Sequence, residues 1–305
     1  MKKIVFFILL IFITTYLFTL NYCNSANYKL DLKLSTFNYD RISWSPDSSK
    51  VALITIENNM YHLYVIDVKG NVRLINSYYE PMSTTVKWID KETIVYSNDN
   101  KLELYNVITD NSVVHDIIVW DFDYYNNIIY YTKNPGLYKY NLKTRESICI
   151  NDDAEFDIVC SQNGKKLYYS KEGFGGSDIL NLFMYDTISK KVSVINDYNH
   201  VLLLYVNKNN RFAYAKEQEF VKDKLKYKHK SNYIKINLNT GETEKININK
   251  NILKIKDYEV NEEIGIKLPL YTSGYPVDSG VLLSPDRKKA LYSKDGIVKI
   301  VDIQE

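Results

Sequence analysis

Past its N-terminal segment the chain shows no helical period. Apolar and polar residues alternate over short runs, and the runs are separated by Asn, Asp, Gly and Lys. Period-two runs bounded by turn formers predict many antiparallel strands. Two of these runs recur in a fixed order, which makes internal repetition the main clue to the fold.

The first recurring unit is a strand, a polar turn and an apolar strand. Ser43-Trp44-Ser45-Pro46-Asp47 leads into Val51-Ala52-Leu53, and Leu283-Ser284-Pro285-Asp286 leads into Ala290-Leu291-Tyr292. Weaker copies begin at Trp88, Phe122, Cys160 and Tyr205. The second unit is an aromatic or aliphatic strand ending in Asp or Asn. Its copies are Leu63–Asp67, Leu102–Asn106, Leu137–Asn141, Leu182–Asp186, Tyr233–Asn237 and Val298–Asp302. Each unit occurs six times. Repeats of about 40 residues carrying four short strands predict a β-propeller. A six-bladed ring is expected over 27–305, with seven blades as the alternative.

The two ends fit one another. The last repeat stops after its third strand, and Tyr28–Leu34 is a spare alternating strand. Placed as the outer strand of the last blade, it would close the ring and cover an open edge.

The Trp-Ser-Pro-Asp turn and the Leu-Tyr-x-Ile-Asp strand resemble the repeats of TolB-type propellers, relatives of WD repeats. The likeness is good in the first and last repeats and degenerate in the middle four. The extra N-terminal domain of TolB has no counterpart. The resemblance implies the propeller fold and a general role in binding proteins or peptides.

Composition adds little. The net charge of +2, from 39 basic and 37 acidic residues, argues against a nucleic-acid partner. The 28 tyrosines suit strands. Lys2 and Lys3 followed by an apolar run over 4–20 read as an export signal or membrane anchor, residues 1–26. An extracytoplasmic protein is expected, secreted or tethered by 4–20, with membrane contact only there. Cys23 follows Tyr22 rather than the small residue a lipidation site wants. Cys149 and Cys160 fall on an outer and an inner strand, which disfavours a bridge. The bulky column Trp44, Trp88, Phe122, Cys160, Tyr205 and Leu283 reads as packing between sheets.

Candidate binding residues lie where the repeat is broken, since loops on a rigid scaffold carry recognition. Gly173, Phe174 and Gly175 form a Gly-rich loop without the strand-to-helix context of a phosphate cradle. Lys222, Lys224, Lys226, Lys228 and Lys230 recur with period two around Tyr227, which would put all five on one side of an extended strand. The stretch 251–279, with Tyr271 and Tyr275, reads as an insertion before the last repeat. In a propeller these loops share one face.

No catalytic motif emerges. His62, His115, His200 and His229 are scattered, no zinc-ligand spacing occurs, and no nucleophile elbow is present. Neither cofactor nor metal is expected. The leading expectation is a monomeric, non-catalytic scaffold that holds an envelope protein, peptide or anionic polymer. A propeller enzyme or carbohydrate binder with a site in the central channel is the first alternative. A membrane-anchored sensor is the second.

Overall fold

The computed structural model describes residues 41–303 except 80–82, 100, 134–135, 153, 155, 162, 173–179, 197–200, 207–211, 224–225, 247–251, 256–257, 262–266, 269–279 and 295–296. The described chain is all β, arranged as seven antiparallel sheets that follow one another along the sequence.

The first sheet contains β1 (Ile42–Trp44), β2 (Lys50–Glu57), β3 (Met60–Asp67) and β4 (Val72–Tyr78). The second contains β5 (Val86–Trp88), β6 (Thr93–Asn98), β7 (Lys101–Asn106) and β8 (Asn111–His115). The third contains β9 (Asp121–Tyr125), β10 (Ile128–Thr132), β11 (Leu137–Asn141) and β12 (Ser147–Asn151). The fourth contains β13 (Phe156–Cys160), β14 (Lys166–Glu172), β15 (Leu180–Asp186) and β16 (Val192–Asn196). The fifth contains β17 (Val201–Val206), β18 (Phe212–Asp223), β19 (Lys226–Asn237) and β20 (Thr243–Lys245). Two three-stranded sheets complete the chain. One has β21 (Ile252–Ile255), β22 (Tyr258–Asn261) and β23 (Lys267–Leu268). The other has β24 (Gly280–Leu283), β25 (Lys289–Lys294) and β26 (Ile297–Asp302).

The first sequence motif is a turn with a defined bonding scheme. The Ser45 hydroxyl donates to Asp47 Oδ1 at 2.6 Å and accepts the Lys50 N–H at 2.9 Å. Ser284 does the same with Asp286 and Lys289, at 2.6 and 2.9 Å. Ser161 repeats it with Asn163 and Lys166, both at 2.9 Å. All three turns need a left-handed residue, and it is Ser48 (φ 60°), Arg287 (φ 60°) or Gly164 (φ 67°). Short side chains that bond their own backbone are what such turns require.

The terminal Asp or Asn of the second motif is also explained. Asn106, Asn141, Asp186 and Asn237 each accept the N–H groups of the second and third residues that follow. The carboxylate or amide thus folds the chain into the outermost strand. The same motif marks a bulge. The register slips between Leu63 and Tyr64, between Leu137 and Tyr138, and between Leu182 and Phe183.

The core lies between sheets. Ala52, Ile54 and Leu63 of the first sheet pack on Trp88, Ile94 and Tyr96 of the second. Val95 and Leu102 meet Phe122, Ile129 and Tyr131. Tyr130 and Leu137 meet Cys160, Leu167 and Tyr169. Tyr168 and Leu182 meet Ile234 and Ile236. The seventh sheet packs on the first, where Leu282 and Leu291 contact Trp44, Val51 and Leu53. Four of the six bulky-column residues, Trp44, Trp88, Phe122 and Cys160, are buried in this way, and Leu283 is buried in a cluster of its own sheet. Of Tyr205 only the backbone is described.

The stretch 251–279, which reads as an insertion in sequence, contains a three-stranded antiparallel sheet of Ile252–Ile255, Tyr258–Asn261 and Lys267–Leu268. Its strands are two to four residues long, too short to display the repeat motifs.

Candidate functional site

Gly173, Phe174, Gly175, Lys224, Tyr271 and Tyr275 lie outside the described residues. Lys222, Lys226, Tyr227, Lys228 and Lys230 all lie on the β18–β19 hairpin, of which only the backbone is described in this stretch. β18 pairs with β17 only as far as Glu217, and β19 pairs with β20 only from Ile234. Among the described residues, Gln218–Asp223 and Lys226–Ser231 therefore pair solely with each other, as a two-stranded ribbon.

The register corrects the expectation of five lysines on one side. The chain reverses between Asp223 and Lys226, placing Lys222 opposite Tyr227. Directly opposed residues share a face. Lys226, Lys228 and Lys230 thus share one face with Asp223, Val221 and Glu219. Lys222 shares the other with Tyr227, Phe220 and His229. One face mixes lysines with carboxylates; the other is aromatic and cationic.

A second arrangement, invisible in the sequence, joins the first strands of three sheets. Asp121 Oδ1 accepts the Thr85 hydroxyl at 2.7 Å, and its Oδ2 accepts the Ile158 N–H at 2.7 Å. Asp123 Oδ2 accepts the Cys160 N–H at 2.7 Å, and its Oδ1 lies 3.1 Å from Lys87 Nζ. The two carboxylates, one strand period apart on β9, bridge β5 to β13. Burial pushes the Cys160 thiol far up, and the Asp123 charge adds to the effect. That thiol is protonated and inert at neutral pH. Both carboxylates are engaged as acceptors for neighbouring strands.

The histidines do not converge. His62 Nδ1 lies 2.8 Å from Ser77 Oγ, and the buried His115 Nδ1 lies 2.7 Å from Tyr140 Oη in another interface. Burial, helped by Arg145, lowers the His115 pKa. His200 lies outside the described residues, and His229 sits on the ribbon. Cys149 is exposed, Cys160 is buried, and both are free. Among the described residues no group of three His, Cys, Asp or Glu side chains could hold a metal.

A third cluster lies between the first and second sheets. The Arg41 guanidinium sits 5.8 Å from the Tyr61 ring centroid. Tyr61 stacks on Tyr78 at 6.0 Å and 7°, and Tyr78 stacks on Tyr96 at 6.0 Å and 28°. Asn76 donates to the Tyr96 hydroxyl at 3.2 Å, and Asn98 donates to the buried Glu103 at 2.7 Å. Arg41 Nε and Tyr78 Oη are buried without a hydrogen-bond partner.

Known structures can be set beside this geometry. A hydrazine synthase chain of Kuenenia stuttgartiensis aligns at 12% identity, covering 92% of this chain and 100% of that one, with a TM-score of 0.57. A chain of a mitotic checkpoint complex aligns at 12% identity over 90% and 91%, with a TM-score of 0.58. An oligogalacturonate lyase in complex with manganese aligns at 12% identity over 88% and 90%, with a TM-score of 0.55.

The fold is propeller-like.

At such identities the fold is all that is shared. TolB of Acinetobacter baumannii aligns at a TM-score of 0.37, too low to support an argument. No family model and no curated protein matches the sequence. The propeller part of the TolB-type resemblance therefore stands, and no specific family is shown. These neighbours include enzymes, which leaves catalysis open. Among the described residues no helix is long and apolar enough to cross a membrane.

Proposed function

We propose that the protein is an exported, non-catalytic propeller that binds a protein, a peptide or an anionic polymer at the cell envelope. Residues 1–26 direct or anchor it, and 27–305 form the ring. In this reading the sheet at 252–268 is a blade of its own, giving seven. The seventh sheet closes on the first, with Tyr28–Leu34 as its outer strand. Recognition falls on the face carrying the β18–β19 ribbon, Gly173–Gly175, Tyr271 and Tyr275.

The observation that supports this most is the ribbon. Six residue pairs continue past the strands that flank them, and they carry lysines on both faces. A projecting basic element suits an anionic or acidic partner. Asp121 and Asp123 favour the same reading, because carboxylates bound to neighbouring strands make poor acid–base catalysts. The second reading, an enzyme or carbohydrate binder using the central channel, is favoured by the alignment with a lyase and a synthase over most of the chain.

Immobilised full-length chain incubated with envelope fractions separates the two. The scaffold reading expects salt-sensitive capture that drops when Lys226, Lys228 and Lys230 become Ser. Chain-dependent release of product from an envelope polysaccharide would overturn it.

A further inference from the structure

The cluster between the first and second sheets contains donors that the protein does not use. Arg41 Nε is buried and has no acceptor. Arg41 also forms no ion pair among the described residues, and its guanidinium lies over the Tyr61 ring. The Tyr78 hydroxyl is equally unpartnered, on a residue only 3% exposed. Tyr61 connects the two groups, its ring centroid 5.8 Å from the Arg41 guanidinium and 6.0 Å from the Tyr78 ring. Burial pushes the Tyr78 hydroxyl pKa well up, Tyr61 and Glu103 push it further, and Arg41 pulls it back.

The rest of the cluster is saturated. Tyr96 bonds Asn76 and Glu103, and Glu103 bonds Asn98. These bonds fix Tyr96, and the stacked rings fix Tyr78. A buried guanidinium N–H and a buried hydroxyl that lack partners are each costly unless an acceptor arrives. An acceptor that satisfies both must be rich in oxygen and preferably negative, since guanidinium favours carboxylate and phosphate geometry. Arg41 precedes β1 and Tyr78 ends β4, so the two sit on the opposite outer strands of the first sheet but at the same end of its antiparallel strands, where the chain enters and leaves it.

We infer that Arg41 and Tyr78 form a site for an oxyanion, the carboxylate or phosphate group of a small ligand, at the interface of the first two sheets. The site is separate from the ribbon and does not depend on the ribbon's role.

Thermal unfolding of the full-length chain tests this. Sodium phosphate and sodium acetate are each titrated against sodium chloride at matched ionic strength. One of them is expected to raise the midpoint saturably, and which one does so identifies the group. Arg41→Gln and Tyr78→Phe should each lose that increment. In chloride alone Tyr78→Phe should melt no lower than wild type, because the hydroxyl it removes has no partner. Three results would overturn the inference: no saturable shift with either anion, an equal shift in both variants, or a Tyr78→Phe midpoint below wild type in chloride.

Discussion

The indole N–H of Trp44 donates to the backbone carbonyl of Leu282 at 3.2 Å, joining β1 to β24 across 238 residues of sequence. Trp88 makes the matching bond to the carbonyl of Ser43, at 2.9 Å, between the second sheet and the first. Nearby, the Asp286 N–H donates to the Ser48 hydroxyl at 3.1 Å, tying the Ser-Pro-Asp turns of the first and seventh sheets together. The contact between seventh and first sheets therefore uses the same device as one between consecutive sheets. Trp44→Ala should cost about 3–5 kcal/mol by denaturant unfolding, as removal of a buried Trp does. Trp44→Phe keeps much of the packing and should cost about 1 kcal/mol, near the net worth of one hydrogen bond.

Asp123 offers a second test. Asp123→Ala leaves the Cys160 N–H without its acceptor. The expected loss is about 1–3 kcal/mol in chemical denaturation, the usual cost of orphaning a buried donor. Lys87 adds little to this, being partly exposed and able to turn to water.

Thiol labelling follows from the two cysteines. Cys149 is exposed and should react with a thiol reagent in the native protein. Cys160, fully buried with its pKa raised, should react only on unfolding. In Asp123→Ala, Cys160 should label at a rate that tracks the lost stability.

Acid sensitivity should arise in the turns. Burial alone would raise Asp47 and Asp286 from their ordinary value of 3.8, yet hydrogen bonds from Ser45 and Ser49, and from Ser284 and Lys288, outweigh it and hold both below. A carboxylate depressed in the folded state contributes stability that is full above pH 3.8. That contribution is lost as pH falls through the folded value. Asp47→Asn and Asp286→Asn should therefore flatten the acid limb of the stability curve below about pH 4. Melting temperature measured against pH would show it.

Two glycines with left-handed backbones should behave differently. At Gly70 (φ +85°) a Cβ meets nothing within 4 Å, so Gly70→Ala should cost about 1 kcal/mol through backbone strain alone. At Gly164 (φ +67°) the same atom would lie 2.3 Å from the Tyr125 ring. Gly164→Ala must displace that ring and should cost clearly more. Paired urea titrations compare them.

The turns were the most legible part of the sequence. Ser45-Pro46-Asp47 and the strand-ending Asp67 act through residues a few positions away, so their pattern survives in one dimension. Asp121 and Asp123 were not legible as a bridge. Their partners lie on other sheets, and neither repeats elsewhere in the chain as a motif. The sheet of β21, β22 and β23 carries no repeat motif, because strands such as Lys267–Leu268 are too short to alternate. The lysine faces differ from the period-two expectation for another reason: period two assigns a side only while the strand continues, and the chain reverses between Asp223 and Lys226.

Hydrogen exchange of Trp44→Ala beside wild type tests the closed propeller most directly. Closure between the last and first sheets predicts faster exchange in β24 and β25 as well as in β2, with β10 of the third sheet nearly unchanged. Faster exchange confined to β1 through β4, with β24 and β25 protected as in wild type, would contradict it.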